Sequence, residues 1–385
     1  MPTSIDIMTI NDQINAGIST FILTEDTAES IMIPEWAKVT IELNGFKLTG
    51  DGINHTIHNK GTVIIKDSSV QKTGTVYCNT AKKACLFNDY GAHASIVRAI
   101  FDRGDVSWYC LLNWGEDVTI DYLHVDLTSE TANAAVIANG FYSPEKDNPN
   151  KVFCQCTIYN AYISTKGDPN APLKNDEYGI MAILGGTFKA RMRAFNNWNK
   201  ATVRGGVFES ETGAPIISGS YPSDGGHCNL EISGGVFKGS DTAILDCSEK
   251  PTDPAYVAPE WHVHGGKFEV PLEDKYLSSD YVMEKLPDGS YAIAKDKGWA
   301  PVVRGPGGIG FLGLSGVTFQ IASIEYKDGG IDVPMKGSFT PEILIGATAE
   351  GGVVGYLDGN KVRLYRGKTE VSGTIKNLQL TFLGH

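Results

Sequence analysis

The chain has 385 residues, 42% of them hydrophobic, and a formal net charge of -12. Neutralising nucleic-acid phosphates needs a basic surface, so this balance excludes a general nucleic-acid binder. No run of about 18 apolar residues is present to form a membrane-spanning helix.

In chain order, Ser4 to Ala16 is the best helical stretch, and residues 1–35 read as an N-terminal cap covering the first coil of a repetitive β structure. The first residues are acidic, with no basic-then-apolar pattern, so no signal peptide is expected. Short strand-forming runs then recur. Val39-Thr-Ile-Glu-Leu43 alternates apolar and polar residues, and Thr62-Val-Ile-Ile-Lys-Asp67 follows about one coil later. Ala94–Ile100, Val118–Asp126 and Cys156–Ile163 continue the series. Strong helical stretches are nearly absent after residue 16.

A sharper repeat lies further along the chain. Gly-Gly-x-Phe occurs at 185–188, 205–208, 234–237 and 265–268, at spacings of 20, 29 and 31 residues. Periods of this size mark solenoids, propellers or arrays. Glycines let the backbone turn with positive φ, and Phe188, Phe208, Phe237 and Phe268 are expected to point inward and stack coil on coil. A propeller needs longer and more regular blades. Residues 36–294 therefore read as a right-handed parallel β-helix, closed at the rear by Asp274–Ile293 with a hairpin turn at Pro287-Asp-Gly289. Residues 295–313 read as a Gly-rich linker. Residues 314–385 alternate strands and turns, with a hairpin signal at Asp358-Gly-Asn360, as in a small β-sandwich or barrel.

Seven cysteines are present, with no CxxC pair. They read as buried thiols of a protein assembled under reducing conditions. Cys154 and Cys156 should share one face of a strand.

Ile33-Pro-Glu-Trp-Ala-Lys-Val-Thr-Ile-Glu-Leu-Asn-Gly-Phe-Lys-Leu-Thr-Gly50 resembles the opening coil of pectate-lyase-like β-helix proteins from Gram-positive bacteria and their phages. Asn59–Ser68 is similar to their next coil, and the Gly-Gly-x-Phe series and Tyr276–Ile293 extend the likeness to about three quarters of the chain. The segment from Gly352 to Gly384 resembles the closing part of small β domains in head-associated proteins of tailed phages, without the longer acidic stretch before the final strand. These resemblances imply a structural virion protein, a head fibre or capsid decoration, on the particle exterior. A homotrimer is expected, with residues 300–385 meeting other capsid or tail proteins and the solenoid presented to host-surface glycans. The alternatives are a tailspike-like polysaccharide depolymerase and a bacterial surface adhesin.

The chemistry-bearing residues fall into three groups. Asp102, Asp105, Glu116 and Asp121, with Asp117 and Asp126, crowd one acidic region where adjacent coils could pair two carboxyls for glycoside cleavage. The plainer reading is a solvated face, so no catalytic residue is assigned. Trp108, Tyr109, Trp114, Tyr142 and Trp198 suit sugar binding, because the C–H faces of sugars are apolar; they could equally pack an interface. His55/His58 and His262/His264 tempt a metal reading, but no third ligand occurs at ligand spacing. No metal or other cofactor is expected. The loops 142–150, 167–172 and 250–259 read as polar insertions, which on a solenoid often gather on the binding face.

Overall fold

The computed structural model describes residues 8–129, 134–167, 171–222 and 227–295, and beyond them the backbone strands between 309 and 384. The chain forms two compact units, Met1–Ala294 and Lys295–His385. The first is a parallel β-helix. Successive coils add strands to three sheets of ten, twelve and nine strands, parallel from coil to coil, with the last two of the twelve closing the second sheet antiparallel at the rear. The second coil is typical: Lys38–Glu42 joins the first sheet, Lys47–Thr49 the second and Ile57–Asn59 the third.

Alternation along each strand sends every second side chain into a common core. Because neighbouring coils pair in parallel, like residues meet: Ile41, Ile65, Ile96, Ile120, Ile158 and Ile183 stack in register down the first sheet, and all are fully buried. The four repeat phenylalanines do the same in the second sheet. Their ring centroids lie 5.0, 5.2 and 4.7 Å apart between Phe188, Phe208, Phe237 and Phe268. The second glycine of each repeat, at 186, 206, 235 and 266, has φ between 103° and 117°, a turn that a side chain would strain.

From the second coil onward, seven consecutive third-sheet strands end on a buried polar residue. Asn59, Asn88, Asn113, Asn139, Asn175 and Asn197 stand in register, all inaccessible to solvent. Each Nδ2 donates to the Oδ1 of the next coil's asparagine at 2.7–2.9 Å. Asn197 closes the ladder on the Ser218 hydroxyl at 3.0 Å. The second N–H of each amide serves a main-chain carbonyl, as from Asn113 to Gln155 at 2.9 Å.

Several boundaries differ from the sequence expectation. Helix α1 (Ile10–Asn15) is held by a Thr9–Asp12 capping box and seats Ile14 in the core. The solenoid itself starts at Thr20, inside the 1–35 stretch read as cap, because Thr20–Ile22 already pairs with the first sheet. The expected single runs Ala94–Ile100, Val118–Asp126 and Cys156–Ile163 each contain a two-residue corner: Val97-Arg98, Asp121-Tyr122 and Tyr159-Asn160 separate strands of the first and second sheets. Such a corner disturbs the apolar alternation too briefly to break a strand pattern.

At the rear, Tyr291–Lys295 pairs antiparallel with Lys267–Phe268, and Gly289 turns with φ 86°. Leu272 and Tyr276 enter the core there. Six cysteines are buried and Cys247 is half-buried; all seven are free thiols. Burial pushes Cys154 and Cys156 up to about 12.

The second unit has antiparallel sheets. Leu314–Tyr326 pairs along its length with Gly373–Gly384, which also pairs with Pro341–Thr348. Val354–Asp358 pairs with Lys361–Arg366. Within the expected linker Ile309–Phe311 is a strand paired antiparallel with Leu314–Tyr326; residues 296–308 and 312–313 of that linker, residues 168–170 of one expected loop and residues 359–360 of the expected hairpin turn lie outside the described residues.

Removing a middle rung should cost more than removing the first. Asn139→Ala strands the Asn113 amide and two carbonyls that Asn139 now serves. Each buried orphan costs about 1–3 kcal/mol, so the urea midpoint should drop clearly with little change in m. Asn59→Ala, at the ladder's end, should drop it less. Equal losses would mean that the ladder is not cooperative.

Candidate functional site

The corner from the third sheet to the first is built directly on the asparagine ladder. From Asn88 onward, the residue after a ladder asparagine donates its N–H to the previous coil's asparagine carbonyl, as from Asp89 to Asn59, Trp114 to Asn88 and Trp198 to Asn175, all at 2.8 Å. That bond fixes the backbone while the side chain is turned outward. Trp114 and Trp198 hold equivalent places three coils apart. The long 140–153 excursion leaves from this same corner, between Asn139 and Cys154.

Around Trp114 the rings form a cluster. Trp114 stacks on buried Phe141 (5.4 Å, 30°) and meets Phe87 edge-on (5.2 Å, 86°). Tyr90 stacks on the same Phe141 (5.6 Å, 24°). Helix α2 (Pro144–Asp147) and the chain after it complete an open groove of about 370 Å³, lined by Tyr90, Trp114, Lys146, Asp147, Pro149 and Asn150. The excursion is tied down from within. Buried Asn148 exchanges two hydrogen bonds with the Val152 backbone, at 2.8 and 2.9 Å, and Phe141 N–H donates to the Glu177 carbonyl at 2.9 Å.

Charged groups flank the rings. His58 Nε2 lies 2.8 Å from Asp89. Burial opposes the Asp89 charge, yet hydrogen bonds from His58 and the Tyr90 N–H, with the charges of His58 and Lys60, hold its carboxyl below the usual range. Burial, then Asp147 and Asp89, raises the Tyr90 hydroxyl. His55 packs on Phe87 at 4.9 Å, and its Nδ1 accepts from Ala84 N–H at 3.0 Å. Burial, then Lys83 and His58, holds it down at about 3.

Of the aromatic residues singled out in the sequence, only Trp114 lines this groove. Tyr142 is exposed, with Lys174 Nζ 4.6 Å from its ring centre, and Lys174 also pairs with Asp176 at 2.8 Å. Tyr109, pushed up to about 12 by burial and then by Asp176, lies on the same flank. Trp108 meets Tyr109 edge-on at 6.2 Å. Trp198 is half-buried further along the corner. The sequence reading missed Tyr90, Phe87 and Phe141. The signal available was position: Tyr90 stands two residues after a ladder asparagine.

The acidic candidates disperse around the coil. Asp102 faces outward on the second sheet, opposite Tyr77; burial raises its carboxyl, partly offset by Lys47 and the Arg103 N–H. Asp105 lies in the exposed turn beyond it. Glu116 is at the third-to-first corner, 3.6 Å from His93, which also bonds Asp117. Asp121 occupies the first-to-second corner. Asp126 joins Asp102 on the neighbouring second-sheet strand, each two residues past the paired Ile100 and His124, whereas Glu116 and Asp121 sit at two separate corners, so the acids fall at several places on the perimeter and not in one cluster. His264 and His262 meet single carboxylates, Glu231 at 3.2 Å and Glu260 at 3.8 Å. Among the described residues no group of three metal-binding side chains converges.

Compared with protein-family models, with curated proteins and with solved structures, the chain matches none.

The His55 environment predicts a pH effect on stability. Below its ordinary value of 6.5 the unfolded imidazole takes up a proton that the native one refuses until about 3. Stability should therefore fall as pH drops through that window and be insensitive to His55 above it. His55→Asn should flatten this slope in thermal melts between pH 7 and 4; an unchanged slope would rule out His55 as its source.

Proposed function

We propose that the chain is a non-enzymatic adhesion module that holds a glycan in the Tyr90–Trp114 groove. The observation that carries this reading is the groove itself: two partly exposed rings braced on a buried Phe141, beside an ammonium, a carboxylate and a carboxamide. Sugars present apolar C–H faces to such rings and hydroxyls to such polar groups. A rigid solenoid wall limits the ordering cost of binding. The resemblance of the early coils and of the final segment to phage proteins supports placing the module on a virion exterior, as a head fibre or decoration. There the second unit would attach or trimerise, cyclic symmetry being the usual closure of such assemblies.

A glycan array probed with the intact chain tests the binding. Trp114→Ala should lose about tenfold or more in affinity, roughly 1.4 kcal/mol, with the fold intact. Equal binding by the variant would remove the groove from the reading. A mass-spectrometric inventory of purified particles tests the virion placement, and absence of the chain would overturn it. One observation favours the depolymerase reading: the raised Asp102 carboxyl has the direction a general acid requires. Release of reducing ends from host polysaccharide, abolished by Asp102→Asn, would establish that reading instead.

A further inference from the structure

We propose that Trp36 is a second sugar subsite, so that an uncharged polysaccharide lies along the solenoid axis over Trp36, Tyr90 and Trp114. The inference rests on the reading of the Tyr90–Trp114 groove as a glycan site and extends it two coils toward the N-terminus.

Trp36 lies in the turn between Ile31–Ile33 of the third sheet and Lys38–Glu42 of the first. Tyr90 occupies the same corner two coils later, before His93, and Trp114 one coil further, before Asp117. The corners are locked in line by main-chain bonds: Thr62 N–H to the Ala37 carbonyl, His93 to Gly61 and Glu116 to Ala92, at 2.9–3.0 Å. Gly61 keeps this stacking tight, since a Cβ there would strike the Pro34 and Ala37 carbonyls. Neighbouring strands are about 4.8 Å apart, so Trp36 precedes Tyr90 by about 10 Å along the axis, and Trp114 follows Tyr90 by about 5 Å. One coil thus advances by about the length of one pyranose unit in an extended chain.

Trp36 is 66% exposed. A large indole left in water offers a flat apolar face and an N–H donor, the pairing that suits a sugar. Lys60 stands at the intervening corner and contributes a polar donor between the rings. Glu35, Asp89, Glu116 and Asp147 outnumber Lys60 and Lys146 along this line, so a polyanionic chain would be repelled.

The test is calorimetric titration of the full chain with uncharged oligosaccharides of increasing length, beside uronic-acid oligomers. Trimers should bind, and hexamers should bind about tenfold or more tightly, because a second subsite adds effective concentration. Trp36→Ala should erase that gain and leave trimer affinity unchanged, whereas Trp114→Ala should weaken both. Gain with length that survives Trp36→Ala, or no gain at all, would overturn the Trp36 subsite and leave the groove standing. Tighter binding of the uronic-acid series would overturn the uncharged class. If no oligosaccharide binds the wild-type chain, the groove reading itself fails. Sedimentation of Trp36→Ala gives the remaining outcome: dissociation of an oligomer with glycan binding untouched would make Trp36 a contact between copies and refute the subsite.

Discussion

The hydrogen bond from one buried asparagine amide to the next sets the geometry of the third-to-first-sheet corners between Asn59 and Asn197. A carboxamide has two donors and two acceptor lone pairs, enough to bond the amides above and below and still serve the turn. Buried without those partners, each would cost free energy; fully satisfied, each fixes the register of its coil against its neighbours. A one-residue slip in the third sheet would put an outward side chain such as His58 or Leu112 into the ladder's place and break several bonds at once. That penalty makes the position of the following residue predictable to within a turn. Trp114 and Trp198 stand alike for that reason.

The apolar columns hold the coils together but tell less about where each begins. Isoleucine on isoleucine and phenylalanine on phenylalanine contribute burial and dispersion nearly wherever matched side chains meet. The ladder and the glycine turns supply the direction. Between them, the scaffold tolerates insertions: fourteen residues from Gly140 to Phe153 separate Asn139 from Cys154, yet strands pair in register on both sides of them. Ring cluster and loop are therefore additions to a finished wall, and the loop's own Asn148 bonds keep it against that wall.

This division explains what the sequence disclosed. Gly-Gly-x-Phe is legible because positive φ and a large inward ring each demand a particular residue, four times over. The ladder was harder to read. Its spacings run 29, 25, 26, 36 and 22 residues, from Asn59 to Asn197, and an isolated asparagine before a turn looks like ordinary turn chemistry. Three first-to-second-sheet corners, at 97–98, 121–122 and 159–160, were invisible because they take only two residues. The groove was half legible. Trp114 stood out as an aromatic beside acids, but Tyr90 and Phe141 are remote in sequence and meet only once the coils stack. The acidic cluster misled for the converse reason. Nearness along a chain that turns three corners per coil sends Glu116 and Asp121 to separate corners, while Asp102 and Asp126 share the second sheet.

The resolved shifts around the groove bear on whether its groups can exchange protons near neutral pH. An acid or base that works in turnover needs its proton affinity near the ambient pH. The resolved shifts around Trp114 all move away from that range: His55 is driven down by burial, Asp89 is lowered by His58 and the Tyr90 N–H, and Tyr90 is raised by burial and Asp147. Each group is thereby fixed in a single protonation state, and its hydrogen-bonding role stays constant across physiological pH. Asp102 is displaced in the opposite sense, but it faces out from the second sheet, away from the corner that holds the rings. A ligand bound on Tyr90 and Trp114 would be gripped by fixed donors, acceptors and apolar faces, with the raised Asp102 carboxyl on another face of the solenoid.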